Sequence, residues 1–194
     1  MKRGKGLLII LSGPSGVGKG TVREKVMVDP ALNLAYSISM TTRAMRPGEE
    51  NGREYYFVSK EEFDKNIKSN NLLEWTEYVG NKYGTPKDKI DELRNQGKNV
   101  LLEIDVTGAT NVINAIPDVI SIFVVPPTID DLVSRLVHRG TESEEVINDR
   151  VNRAKKEMAL KDNYKYVVIN DKLDNAVQKI KEIIVIEGNR WKRF

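Results

Sequence analysis

The 194-residue chain contains no cysteine, which excludes disulfides and thiolate metal sites. Its one histidine, His138, excludes a metal site built from several imidazoles. Aromatic residues make up 7% of it, and they do not interleave with basic residues as a single-strand stacking platform would. No apolar run is long enough to span a bilayer. Lys2, Arg3 and Lys5 precede an apolar stretch as in a signal peptide, but Leu7–Leu11 is too short for one and a glycine-rich turn follows at once. No large charge excess exists either: 31 Lys and Arg against 28 Asp and Glu leave a net +3, with the signs interspersed. That balance suits small anionic ligands and does not demand nucleic acid. The expectation is a cytoplasmic protein with no membrane and no nucleic-acid partner.

What is present is enough apolar residue, 40%, for one packed domain. There are no repeats, low-complexity segments or linkers. The stretch that organises the rest is Leu7-Leu8-Ile9-Ile10-Leu11-Ser12-Gly13-Pro14-Ser15-Gly16-Val17-Gly18-Lys19-Gly20-Thr21. An apolar run, a glycine-rich turn and a helix-like segment follow one another there. Gly13, Gly18 and Lys19 stand at the spacing of the phosphate-binding loop. Glycines let backbone N–H groups turn inward on a phosphate chain. The helix that follows aims its N-terminus at the same anion, and Lys19 adds a movable charge. Gly20 stands where Ser or Thr normally offers a hydroxyl to Mg²⁺; Thr21 is the nearest substitute, through water. A glycine-rich strand–helix turn with an ordinary surface lysine would have the same pattern.

Further along, the sequence predicts a helix over 18–28, strands over 35–39 and 54–58, and a capping box at Ser59-Lys60-Glu61-Glu62 that starts a helix ending near Asn71. Leu73–Val79 alternates as a strand, Gly80-Asn81-Lys82 turns it back, and Thr85 is placed to cap a helix begun by Pro86 and ended at Gly97. Asn99–Val106 reads as a buried parallel strand ending in acid. Then come a short helix over 107–115, a buried strand over 119–125, a helix from Pro126-Pro127-Thr128 to about His138, a polar loop and a helix over 144–160. A strand over 166–169 and a helix over 173–186 close the chain. Strands alternating with helices give an α/β protein with a central parallel sheet. The strand-rich segment 37–90 reads as an insertion.

Four constellations carry chemistry. Arg43 and Arg46, with Tyr55 and Tyr83 from separate strands, provide a guanidinium fork and phenol hydroxyls for a second phosphate group; a solvated pair of loop arginines has the same spacing. Glu74 beside Trp75, and Glu103 inside Leu-Leu-Glu-Ile-Asp, are acids among apolar neighbours, where a carboxylate needs a partner. Guanine offers N1–H and N2–H₂ side by side, which one carboxylate accepts together, whereas adenine N1 is an acceptor. Hydroxyls at Ser39 and Thr85 suit guanine O6. An outward acid on an exposed strand face, and a surface acid at a strand end, are the plain alternatives. Asp105, at the end of a buried strand, occupies the place of a metal-holding acid, or caps the next helix. Arg135 and Arg139 share a helical face, and Arg150 and Arg153 lie on the next helix, so a helix–loop–helix could close over a transferring phosphoryl group. A solvated basic face paired with Glu144 and Glu145 is the alternative.

Taken together these residues resemble guanylate kinase, which phosphorylates GMP with ATP. The resemblance covers nearly the whole chain. Besides the glycine-rich loop it rests on Ser39-Met40-Thr41-Thr42-Arg43, Arg46-Pro47-Gly48-Glu49, Asn51-Gly52-Arg53-Glu54-Tyr55, Leu73-Glu74-Trp75, Tyr83-Gly84-Thr85, Leu102-Glu103-Ile104-Asp105 and Arg139-Gly140-Thr141. It implies a P-loop three-layer α/β/α fold with a core (1–36, 91–127 and 161–194), a GMP-binding lobe (37–90) and a helical lid (128–160). It implies that Gly13, Pro14, Ser15, Gly16, Val17, Gly18, Lys19, Gly20 and Thr21 hold ATP, with Asn170 near its base. Arg43, Arg46, Tyr55 and Tyr83 would hold the GMP phosphate. Ser39, Glu74, Thr85 and Glu103 would read guanine, with Asp105 beside them. Lys19, Arg135, Arg139 and Arg150 would serve phosphoryl transfer, and Asp105, with Thr21 through water, would hold Mg²⁺. Three departures stand out: Gly20 for a hydroxyl residue, Thr107 for Gln and Thr85 for Ser. The expected partners are ATP and GMP, in a monomer or small homo-oligomer. A kinase of AMP, UMP or dTMP and a catalytically silent scaffold module are the rival readings.

Overall fold

The computed structural model describes residues 4–78, 80–137 and 144–191. Its centre is β1 (Leu8–Ser12), every residue of which is buried. Alternation along this apolar run divides it between two cores. Leu7, Ile9 and Leu11 face one, and Leu8 and Ile10 the other. The remaining strands of the main sheet are β2 (Leu34–Tyr36), β7 (Asn99–Glu103), β8 (Ile120–Val125) and β9 (Tyr166–Ile169). All pairings are parallel, in the order β2-β7-β1-β8-β9. On one face lie α1 (Lys19–Met27), through Val22 and Val26, and α7 (Leu173–Trp191), through Ile180, Ile183 and Ile184. On the other lie α3 (Lys87–Asn95), through Ile90, and α4 (Val106–Ala115), through Val106, Ala109 and Val112. The result is three layers, helices–sheet–helices, with the central parallel sheet that the alternating pattern predicts.

A second, four-stranded sheet is built between β2 and α3. It contains β3 (Met40–Thr41), β4 (Tyr56–Phe57), β5 (Leu72–Tyr78) and β6 (Asn81–Pro86), in the order β4-β3-β6-β5. Its small core is Met40, Leu72 and Phe63, the last from α2 (Lys60–Lys68). Ser59 caps α2 by accepting from the Glu62 N–H at 3.1 Å, as the sequence predicts. Two further helices, α5 (Ile129–Val137) and α6 (Glu144–Met158), pack on each other through Leu132, Val151 and Ala154.

Four expectations are corrected. The strand expected over 35–39 ends at Tyr36 because the chain changes sheets there, and β3 begins at Met40, which the expectation left in a polar run. Ser37 N–H still bonds Leu101 in the main sheet, while Ser39 C=O already accepts from Tyr56 in the second. The buried strand from Asn99 stops at Glu103 because Asp105 turns to cap α4, accepting the Gly108 N–H at 2.7 Å. Thr85 does not cap α3; it lies in β6 with its hydroxyl bonded elsewhere. The last helix runs beyond 186 to Trp191, since its buried stripe continues to Glu187, which is held by Lys165, Tyr166 and Arg190.

Candidate active site

Open parallel sheets place ligands beyond the C-terminal ends of their strands, and many of the sequence-predicted residues that are described gather there. β1 leads into a loop whose glycines are structurally required. Gly13 has φ +144, and a Cβ on it would stand 2.3 Å from the Val124 carbonyl oxygen. Gly18 caps α1 in the left-handed region, at φ +93, which an L side chain rarely adopts. Lys19 folds back over the loop, donating to the Gly13 and Pro14 carbonyls at 2.6 and 3.1 Å. Burial pushes its ammonium below the usual lysine range, opposed by the charges of Glu103, Glu157 and Asp105. The charge therefore sits ready in the loop, bordered by acids.

The loop is braced from β9 and α5. The Asn170 amide donates to the Val17 carbonyl at 2.8 Å. Arg135 spans the same junction, donating to Val17 C=O at 3.2 Å and Asn170 C=O at 2.9 Å. From α6, Arg150 donates to the Ser15 hydroxyl at 2.9 Å, and Arg153 pairs with Glu157 at 2.9 Å and reaches to 3.9 Å from Asp105. Arg135 and Arg150 thus both contact the loop. Arg139 lies outside the described residues.

Beside the loop is a cavity of about 200 Å³. Ser39, Tyr55, Glu74, Tyr83, Glu103 and Asp105, all singled out in the sequence, line it together with Thr76 and Ile104, which were not. Glu74 is buried, and its Oε1 accepts from the Thr85 hydroxyl at 2.5 Å. Burial pushes its carboxyl up to about 7, against the pull of the Thr85 hydrogen bond and with Asp105 adding to the rise. The Thr85 hydroxyl is thus engaged by the Glu74 carboxylate. Glu103 is also raised by burial, opposed by Arg23 and Lys19. Arg23 lies 3.3 Å from it and stacks 4.6 Å from the Tyr36 ring centre. Sequence reading missed Arg23; the available signal was its spacing, four residues after Lys19 on one helical face.

At the far end of the cavity the Tyr55 and Tyr83 rings meet edge to face, centroids 5.9 Å apart. The Arg43 guanidinium lies 5.5 Å from the Tyr55 ring centre. It is gripped by both oxygens of Glu49, at 2.8 and 3.0 Å, and Glu49 also accepts the Arg46 N–H at 2.8 Å. Arg43 is therefore held in place by a carboxylate that sequence reading left without a role. Arg46 is exposed at the rim of this loop. Thr21 is exposed on α1, whereas a Cβ on Gly20 would lie 3.8 Å from Glu103 Oε1, so position 20 and not 21 faces the acids.

The doubly covered parallel sheet, with its glycine loop running into α1, defines a P-loop α/β protein, with a second sheet that packs on α4 through β5. A family model described as guanylate kinase matches residues 5–187. The guanylate kinase of Lactobacillus johnsonii is 51% identical over 189 residues, 97% of this chain and 93% of that one. That of Listeria monocytogenes serotype 4b is 51% identical over 189 residues, 97% of this chain and 92% of that one. The crystal structure of guanylate kinase from Anaplasma phagocytophilum is similar with a TM-score of 0.77 at 32% identity, over 97% of this chain and 89% of that one. The chain belongs to the guanylate kinase family. Among the described residues no helix is long and apolar enough to cross a membrane.

Proposed function

We propose that the chain catalyses ATP + GMP ⇌ ADP + GDP, as an ATP-dependent nucleoside monophosphate kinase working in the cytoplasm. The observation that carries the choice of acceptor is the buried Glu74 carboxylate, fixed by Thr85, in a cavity next to the P-loop. Ionised, it accepts guanine N1–H and N2–H₂ together; adenine would bring an acceptor against it. Ser39 is the hydroxyl left to meet O6, and Glu103 and Asp105 complete the polar wall. Arg43, Arg46, Tyr55 and Tyr83 take the GMP phosphate. Lys19 and the loop from Gly13 to Thr21 take the ATP phosphates, and Asn170 steadies the loop where the nucleoside enters.

In that arrangement a GMP phosphate oxygen attacks the terminal phosphorus of ATP in line and ADP leaves. No protein nucleophile is required, since positioning and charge neutralisation carry phosphoryl transfer. Lys19, Arg135 and Arg150 bring positive charge to the bridge between the two phosphate chains. The working division is a core (1–36, 91–127 and 161–194), a GMP lobe (37–90) and a lid (128–160) whose closure excludes water and suppresses ATP hydrolysis.

Family membership implies a divalent metal, and the donors fit Mg²⁺. Glu103 and Asp105 are hard oxygen ligands beside the loop, and Mg²⁺ is commonly held by one or two carboxylates plus substrate phosphates. Asp105 would hold it, with Thr21 only through water because of its outward placement. When bound, the metal neutralises charge shared by the two outer phosphates.

The test is ADP production from ATP and Mg²⁺ with GMP, AMP, UMP and dTMP at matched concentrations. Turnover with GMP alone is expected. Equal turnover with AMP or a pyrimidine nucleotide would refute the carboxylate reading, and none with any acceptor would return the chain to a binding module.

A further inference from the structure

We propose that Gly108, in the first turn of α4, is a positioning residue that seats the base-reading carboxylate of Glu74. The inference rests on the guanine reading above. Glu74 Oε1 is taken by the Thr85 hydroxyl. Its other oxygen lies against the bare Cα of Gly108: a Cβ there would stand 2.5 Å from Glu74 Oε2 and 3.1 Å from its Cδ. The same Cβ would be 3.3 Å from Asp105 Oδ1, which accepts the Gly108 N–H at 2.7 Å. The Glu74 carboxylate is thus wedged between a hydroxyl on β6 and a helix turn with no side chain.

Nothing in the helix itself asks for glycine. Gly108 is absent from the residues with positive φ, and alanine is the better helix former. Neither is a backbone atom of another element in the way. What an added methyl would strike is the end of a flexible side chain, so the carboxylate yields and the helix stays. The Thr85 bond and the side-by-side acceptance of N1–H and N2–H₂ both depend on where that carboxylate rests. A displacement of about 1 Å in such an array costs on the order of 10²-fold. Gly108 touches no substrate in this scheme; it acts through Glu74.

The experiment compares wild type and Gly108→Ala with GMP and IMP as acceptors at saturating ATP. IMP keeps N1–H and lacks the 2-amino group, so it reports on paired acceptance by the carboxylate. The variant should show a rise in KM for GMP of about tenfold or more, an equal fall in GMP-over-IMP preference, a KM for ATP within about twofold and an undiminished Tm. In a Glu74→Gln background the same substitution should add less than about twofold, because the two residues act on one feature. A wild type that does not prefer GMP over IMP would overturn the guanine reading. A wild type that does, with an unchanged variant, would overturn only the role of Gly108. A fall in Tm of more than about 5 °C with both KM values raised would overturn it too, since the helix would have moved. Full additivity with Glu74→Gln would do the same.

Discussion

A carboxylate that reads guanine must be ionised when the base arrives, and Glu74 is poised against that. Burial, aided by the Asp105 charge, lifts its carboxyl to about 7 despite the Thr85 hydrogen bond. As pH falls below that value the neutral form takes over, and each further unit removes about tenfold of the ionised fraction. KM for GMP should therefore climb between pH 8 and pH 6 while KM for ATP stays level; parallel pH profiles would refute the assignment. The same group affects stability with the opposite sign. The folded carboxyl holds its proton from about pH 4.5 to 7, where the unfolded one has lost it, so stability falls as pH rises through that window. Glu74→Gln should raise Tm at pH 8 and flatten the pH profile of KM for GMP. It should also cut the preference for GMP over AMP by on the order of 10²-fold. A lower Tm at pH 8 would mean that the Thr85 hydrogen bond to the ionised carboxylate outweighs the cost of burying it.

The elements around the ATP loop work as a brace. Val17 C=O, in the turn of the loop, receives the Asn170 amide from the end of β9 and the Arg135 guanidinium from α5. Asn170→Ala leaves one donor fewer on a buried junction, a loss of about 1–2 kcal/mol. It should raise KM for ATP by about tenfold while leaving KM for GMP within about twofold; equal rises in both would show a general loosening instead. The family resemblance sets Asn170 near the ATP base, and its bond to Val17, 153 residues away in the chain, leaves no local signal in the sequence. The strands and helices of the core were legible, since burial on one or both faces writes its period into the residues. Where the chain changes sheets, between Tyr36 and Met40, that period continues unbroken, so the first strand reads on to Ser39 and β3 is missed. The grip of Glu49 on Arg43 was illegible for a related reason: both lie in an aperiodic loop, and only its folded shape brings them together.

At the scale of the whole molecule, three separate parts converge without sharing a strand. The P-loop comes from β1, the acids from β5 and β7, and the arginines from α5 and α6. One helix spans the first two: α6 carries Arg150, which donates to Ser15 of the loop, and Arg153, whose guanidinium lies 3.9 Å from Asp105 of the cavity. A ligand that fixes α6 over the loop therefore brings a positive charge to the cavity wall before the second ligand arrives. Ordering shared in this way makes binding reciprocal, with couplings of typically 5–150-fold. ADP with Mg²⁺ is an unreactive stand-in for ATP, so calorimetry can measure the Kd of GMP with and without it. GMP should bind at least about fivefold tighter in its presence. Arg150→Ala should remove most of that gain and lower kcat by on the order of 10²-fold, while GMP binds the variant alone as it binds the wild type. An identical Kd with and without ADP would mean the two sites fill independently and that α6 transmits nothing. A coupling that survives Arg150→Ala would place the link in the core sheet instead, between Lys19 and Glu103.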